Sequence, residues 1–175
     1  MMKNAVLDLI TRSRNGAREL LLACKKTGEI GIGKVSAPGG KVDPGETPRH
    51  ACAREVYEEF RISIPNNSID LLEVAMLDAF IATGDGPYEH FMRVAVYRGD
   101  AFSGEPIETE DMYKPFWSPF SEIPYDDMYA GDDKWMPYVL EDNNPRLHFS
   151  VYRRDGICEK MESRPLKPFN ELTET

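Results

Sequence analysis

Cysteine and histidine are both scarce in this sequence, three of each in 175 residues. Cys24, Cys52 and Cys158 are odd in number and show no pair spacing, which excludes a disulfide framework and points to reduced thiols in a cytoplasmic protein. His50, His90 and His148 stand far apart without metal-ligand spacing, so each is read as surface or core packing. Basic charge is also short: 21 Lys and Arg face 30 Asp and Glu, a net charge of −9. Phosphate backbones are held by basic surface, so a nucleic-acid polymer is excluded as a partner. A small anionic ligand stays admissible if a metal ion bridges the like charges. No apolar run approaches the ~18 residues of a membrane span, so no membrane partner is expected. "LLLAC", Leu20 to Cys24, has the look of a lipoprotein cleavage site, but Arg18 and Glu19 directly before it leave no hydrophobic stretch, and it reads as a strand.

What is present reads as one domain over residues 1–160, with a polar, proline-containing tail at 161–175 expected to pack loosely. Aliphatic runs at Ala5–Ile10 and Glu19–Cys24 flank the polar turn "TRSRNGAR" and predict a hairpin. A Gly-rich loop follows, and Thr47-Pro48 then opens a helix predicted to reach Phe60, with Ala51, Cys52, Val56 and Phe60 near helical spacing. "IDLLEVAMLDAFIA", "HFMRVAVYRGD", "KPFWSPF" and "RLHFSVYRR" read as strands. "DDKWMPYVLED" reads as a second helix, with Pro137 tolerated only in an early turn. This order predicts an α/β fold, a mixed curved sheet with helices on both sides.

The first helix carries Glu55, Glu58 and Glu59 at i, i+3 and i+4, on one face. Like charges so placed cost roughly 0.2–0.5 kcal/mol per pair on an exposed helix. Two readings stay open from the residues alone. One is a solvated acidic face. The other is a cation site: Mg²⁺ takes oxygen ligands, keeps several waters and shares substrate phosphates. Arg54 would then steer the neighbouring Glu55 by charge-assisted bonding, and Gly39-Gly40 would bring backbone close to metal or phosphate.

The spacing resembles a known motif. Gly40, five residues, Glu46, seven residues, then Arg54-Glu55-Val56-Tyr57-Glu58-Glu59-Phe60-Arg61-Ile62 resembles the Nudix box at every specified position but one. The exception is Arg61, where the box has Gly, a residue suited to the left-handed end of a helix. The resemblance implies an α/β/α sandwich that hydrolyses a nucleoside diphosphate linked to another group. It implies Mg²⁺, with Mn²⁺ as substitute, held by Glu55, Glu58, Glu59 and the Gly39 carbonyl. It also implies that Arg54 orients Glu55 and that Gly40 and Glu46 shape the loop. Which glutamate is the base differs among members and is left open.

A second likeness runs from about Lys3 to Tyr152. "GEPIETEDMYKPFWSPFSEIPYDDMYAGDDKWMPYVL" is similar to the MutT-homologue branch of that family, which hydrolyses oxidised purine nucleoside triphosphates such as 8-oxo-dGTP. This implies cleavage to a nucleoside monophosphate and pyrophosphate, in nucleotide-pool sanitation or housekeeping. Glu110, or its neighbour Asp111, would reach the metal from a loop. Tyr129 stands where the branch stacks a Trp on the base, and Asp132 at one of two adjacent base-reading acids, the other being Gly131. Ser36 replaces a base-reading Asn, and Trp135 completes the pocket. Of the adjacent Lys25 and Lys26, surface charges on the bland reading, Lys26 is carried as a substrate contact. The alternatives are a related pyrophosphatase for ADP-ribose or a similar derivative, and a nucleotide-binding module without turnover. The expected state is a monomer or homodimer.

Overall fold

The computed structural model of the chain describes residues 3–28, 30–65 and 71–166. In chain order its elements are β1 (Lys3–Arg14), β2 (Ala17–Lys25), β3 (Val35–Ser36), α1 (Pro48–Phe60), β4 (Leu72–Ala82), β5 (Glu89–Gly99), β6 (Met112–Pro119), α2 (Asp132–Leu140), β7 (Leu147–Arg154) and β8 (Ile157–Pro165). The expected hairpin forms: Thr11–Arg14 pair antiparallel with Ala17–Leu20. Asn15 and Gly16 close it with φ of 51° and 78°, the two positive values a tight hairpin turn requires.

The strands form one open mixed sheet in the order β3-β2-β1-β5-β4-β7-β8, with β6 on the other edge of β2. The β1·β5 and β4·β7 pairs are parallel and the rest antiparallel. Register shifts in β2·β6, β4·β5 and β7·β8 locally strengthen the twist.

Alternation along the strands divides the core in two. Val6, Ile10, Leu21, Ala23 and Ala95 face Ala51, Cys52, Val56 and Phe60 of α1. Their neighbours Leu9, Leu20, Leu22 and Val96 face Trp135, Met136, Val139 and Leu140 of α2. Each fully buried Leu- or Phe-sized side chain stabilises by about 1.5–3 kcal/mol, so both helices are fixed by packing. The predicted α/β/α sandwich is therefore present. All three cysteines are free, and no helix among the described residues is long and apolar enough to cross a membrane.

Three details depart from the sequence reading. Met161–Pro165, assigned above to a loose tail, continue β8, where Met161 pairs with Val151 and Pro165 with Leu147. The strand lies mostly exposed, so its side chains are polar and carry no apolar alternation; residues 167–175 fall outside the described residues. Pro137 sits well inside α2 rather than in its first turn. The burial of Trp135, Met136, Val139 and Leu140 offsets the lost backbone bond. Finally, β3 is only two residues long, too short to announce itself.

Candidate active site

The loop before α1 is sewn to the free edge of β1. The amides of Val6 and Asp8 donate to the carbonyls of Gly40 and Pro38 at 2.9 and 2.8 Å, and Val42 N donates to Asn4 O at 3.0 Å. Gly39 lies between these bonds and turns its N–H the other way, onto Glu59 Oε2 at 2.8 Å. Both glycines are required by contact: a Cβ on Gly39 would strike the Val6 carbonyl, and one on Gly40 would strike the Glu55 carboxylate.

α1 starts as its sequence predicts. Thr47 accepts from His50 N at 3.3 Å, and Pro48 opens the first turn. It ends on Arg61, which adopts the left-handed conformation itself (φ 59°, ψ 24°), with its N–H donating to Tyr57 O at 3.0 Å. The terminus that Gly normally serves thus survives with a side chain in place. Arg61 turns its guanidinium over the Tyr57 ring, 5.5 Å from the centroid.

Arg54 is the hub of the acidic face. Its Nε and NH2 donate to both oxygens of Glu46 at 3.1 and 2.9 Å, NH2 also to Lys41 O at 2.9 Å, and NH1 to Glu55 at 2.7 Å and Glu58 at 3.2 Å. The bond from Arg54 holds Glu46 below the usual carboxylate range, and Glu46 in turn raises Arg54. Glu46 also accepts from Asp43 N at 3.1 Å, which clamps the loop to the helix.

Glu55 and Glu59 line a cleft of about 740 Å³. Burial raises Glu55, against the pull of Arg54, and raises Glu59 to about 7, against Lys25 and the Gly39 N–H. Lys25 Nζ stands 3.7 Å from Glu59 Oε1. Two raised carboxyl groups beside a third acid, Asp111, form an all-oxygen, like-charged donor set, which suits a hard divalent cation. Among the described residues, no three His, Cys, Asp or Glu groups converge as a ready-made cage. Arg54 NH1 bridges Glu55 and Glu58 instead. Mg²⁺ needs no such cage, because waters and phosphate oxygens complete its shell.

The other end of the cleft is built by the Ala130–Trp135 segment and β7. Tyr129 lines it, raised to about 12 by burial, with its hydroxyl donating to Ile30 O at 3.4 Å. Asp132 is buried and accepts from Trp135 Nε1 at 3.0 Å; burial raises it to about 6, while Arg153 and Trp135 pull it down. Ser36 is buried on β3 and donates to Ala37 O at 2.9 Å. Gly131 has a structural reason to lack a side chain. It caps α2 at φ 97°, and a Cβ there would meet Cys158 Sγ at 2.9 Å.

The structure gathers Gly39, Gly40, Glu55, Glu59, Ser36, Tyr129, Asp132 and Trp135 around this one cleft. Glu58 stays outside it, half exposed and tied to Arg54. Two choices are corrected. Glu110 is exposed and is not part of the cleft wall, whereas Asp111 is, accepting from the Thr27 hydroxyl. Lys26 turns away to Glu108 at 2.6 Å and Thr109 O at 2.7 Å, whereas Lys25 faces the cleft. In both pairs adjacent residues face opposite ways, and no spacing rule distinguishes them.

Three groups gave no sequence signal. Asp8 lies fully buried on β1, facing Cys52, and among the described residues neither of its oxygens has a hydrogen-bond donor of ordinary geometry. Asp78 gathers Arg93, His90 and His148 at 2.8–2.9 Å, so histidines 58 positions apart in sequence share one carboxylate (148 less 90). Arg153 enters the cleft beside Asp132.

Comparison with known proteins agrees with this geometry. Residues 2–139 match the NUDIX domain. A Danio rerio protein named oxidized purine nucleoside triphosphate hydrolase is 32% identical over 159 residues, covering 91% of this chain and 94% of that protein. A Mus musculus protein of the same name is 31% identical over 140 residues, covering 80% and 83%. Among solved structures, a MutT protein from Bacillus halodurans superimposes with a TM-score of 0.72 at 19% identity, over 95% of this chain and all 100% of that one. The box spacing, the sandwich and the gathered carboxylates have one common explanation: this chain belongs to the Nudix family of hydrolases.

Proposed function

We propose that the chain hydrolyses a purine nucleoside triphosphate, oxidised purines included, to the nucleoside monophosphate and pyrophosphate, with Mg²⁺ as cofactor and Mn²⁺ as substitute. The observation that carries this reading is one cleft with two chemically distinct ends. Raised carboxyl groups and Lys25 stand at one end, and Tyr129, Asp132 and Trp135 at the other. A nucleoside triphosphate has that polarity. The names of the Danio rerio and Mus musculus relatives support the same substrate class.

The Gly39 carbonyl, Glu55, Glu59 and Asp111 would hold the metal, with Glu58 beside them on Arg54, and the metal when bound would offset phosphate charge and make hydroxide available near neutral pH. The chain's own residues do the rest. Arg54 fixes Glu55 and Glu58 relative to the loop, and Gly39 N–H fixes Glu59. Glu55 and Glu59 both line the cleft and are the candidates to accept the proton of the attacking water. The water oxygen bonds to phosphorus, the α–β bridging P–O bond breaks, and pyrophosphate leaves. Lys25 faces the phosphates. Tyr129 offers a ring to the base, a contact worth ~1–3 kcal/mol in related stacking.

The test is a pyrophosphate-release assay with Mg²⁺, with phosphatase added to read products other than pyrophosphate, over 8-oxo-dGTP, 2-hydroxy-dATP, the ordinary nucleoside triphosphates, ADP-ribose and dinucleoside polyphosphates. Release of pyrophosphate from a purine triphosphate, abolished by EDTA, is the expected result. Turnover of ADP-ribose alone, or silence across the panel, overturns the proposal.

A further inference from the structure

β7 points Phe149 and Val151 into the core beneath α2. The next residue on that face is Arg153, just past a register shift between Tyr152 and Arg153. An apolar series thus ends in a guanidinium at the base end of the cleft, with only 18% of its side chain exposed. Its Nε already donates to Ala130 O at 2.6 Å, and its NH2 stands 3.6 Å from Asp132 Oδ1. Asp132 is buried too, and its Oδ1 accepts from Trp135 Nε1. The Tyr129 backbone N–H also reaches this carboxylate, which lines the cleft with Arg153. The cleft therefore presents, side by side, guanidinium N–H donors and a carboxylate acceptor.

Buried donors and acceptors are costly unless a ligand satisfies them. The edge that matches this pair has an acceptor next to a donor. A 6-oxopurine supplies it: O6 accepts and the adjacent N1–H donates. A 6-aminopurine reverses both, so its amino group would meet the guanidinium and its N1 lone pair the carboxylate. We infer that Arg153 is a specificity residue that, together with Asp132, selects 6-oxopurines (guanine, hypoxanthine and 8-oxoguanine) and rejects adenine. This rests on the nucleotide reading of the cleft and narrows it.

The test reads binding rather than turnover, so that the two ideas fail separately. Equilibrium dissociation constants of dGMP, dIMP and dAMP are measured for the wild type, Arg153→Met and Arg153→Lys, with thermal melts to confirm folding. Hypoxanthine differs from adenine only along the edge in question. The wild type is expected to bind dGMP and dIMP at least about tenfold tighter than dAMP. Arg153→Met brings dIMP and dAMP within about threefold, and Arg153→Lys, which keeps one donor, lies between. Equal wild-type affinity for dIMP and dAMP, an unchanged preference in Arg153→Met, or no binding of any of the three overturns the inference. A clear dIMP preference without turnover of any triphosphate would leave Arg153 its role and remove the hydrolytic one.

Discussion

Asp8 supplies the sharpest test of the packing beneath the active helix. Its carboxyl is fully buried between β1 and α1, and burial raises it from 3.8 to about 7, with Glu55 and Glu59 adding repulsion and Cys52 easing it. Folding thus makes the group hold a proton that the unfolded chain has released. Its stabilising effect is complete below about pH 4 and is lost as pH climbs through about 7. At ~1.4 kcal/mol per pKa unit, the linked penalty is about 4 kcal/mol at pH 8 and under about 2 kcal/mol at pH 5. Asp8→Leu keeps an apolar side chain among Val6, Ile10, Ala51 and Cys52 and removes the titration. Urea unfolding of both proteins at pH 5 and pH 8, each without metal, isolates the effect. The variant should gain on the wild type by about 2–3 kcal/mol between those pH values. A stability difference that does not change with pH would refute the claim of a buried, proton-holding Asp8.

Glu59→Gln removes a cleft carboxylate and should lower turnover by at least about 100-fold while circular dichroism stays native. Gly40→Ala drives a methyl into the Glu55 carboxylate, so it should lower activity at least about tenfold, read in the same assay. Arg61→Gly removes a side chain from a left-handed position and should raise stability by about 1 kcal/mol in chemical unfolding. At Asp78, burial works to raise the carboxyl, but Arg93 and His148 outweigh it and hold it down to about 2. Its contribution is therefore present above about pH 4 and lost as pH falls through 2, opposite in sign to that of Asp8. Asp78→Ala strands Arg93 and His148 and should cost about 2–4 kcal/mol at pH 7, measured by urea unfolding.

The parts of the molecule legible in the sequence are those where a local rule acts alone. Thr47-Pro48 and the apolar positions of α1 fix a helix, and the spacing from Gly40 to Glu59 places its acids. The parts that were hidden depend on direction or on distant partners. Lys25 and Lys26 differ only in which way the end of β2 turns them, as do Glu110 and Asp111 before β6. Asp8 interrupts an aliphatic strand and looked harmless there, because its burial comes from α1, more than 40 residues on (Cys52 less Asp8). His90 and His148 appear isolated until β4 sets Asp78 between β5 and β7. β8 shows no pattern because one face of its residues meets no core.

The central claim is that both ends of the cleft act on one molecule. The most direct measurement compares kcat/KM for dGTP with that for inorganic tripolyphosphate, under Mg²⁺, in the wild type and in Tyr129→Ala. The account predicts that the wild type favours dGTP by at least about tenfold and that Tyr129→Ala loses most of that margin. Equal rates on the two compounds, or a margin that survives Tyr129→Ala intact, would contradict it.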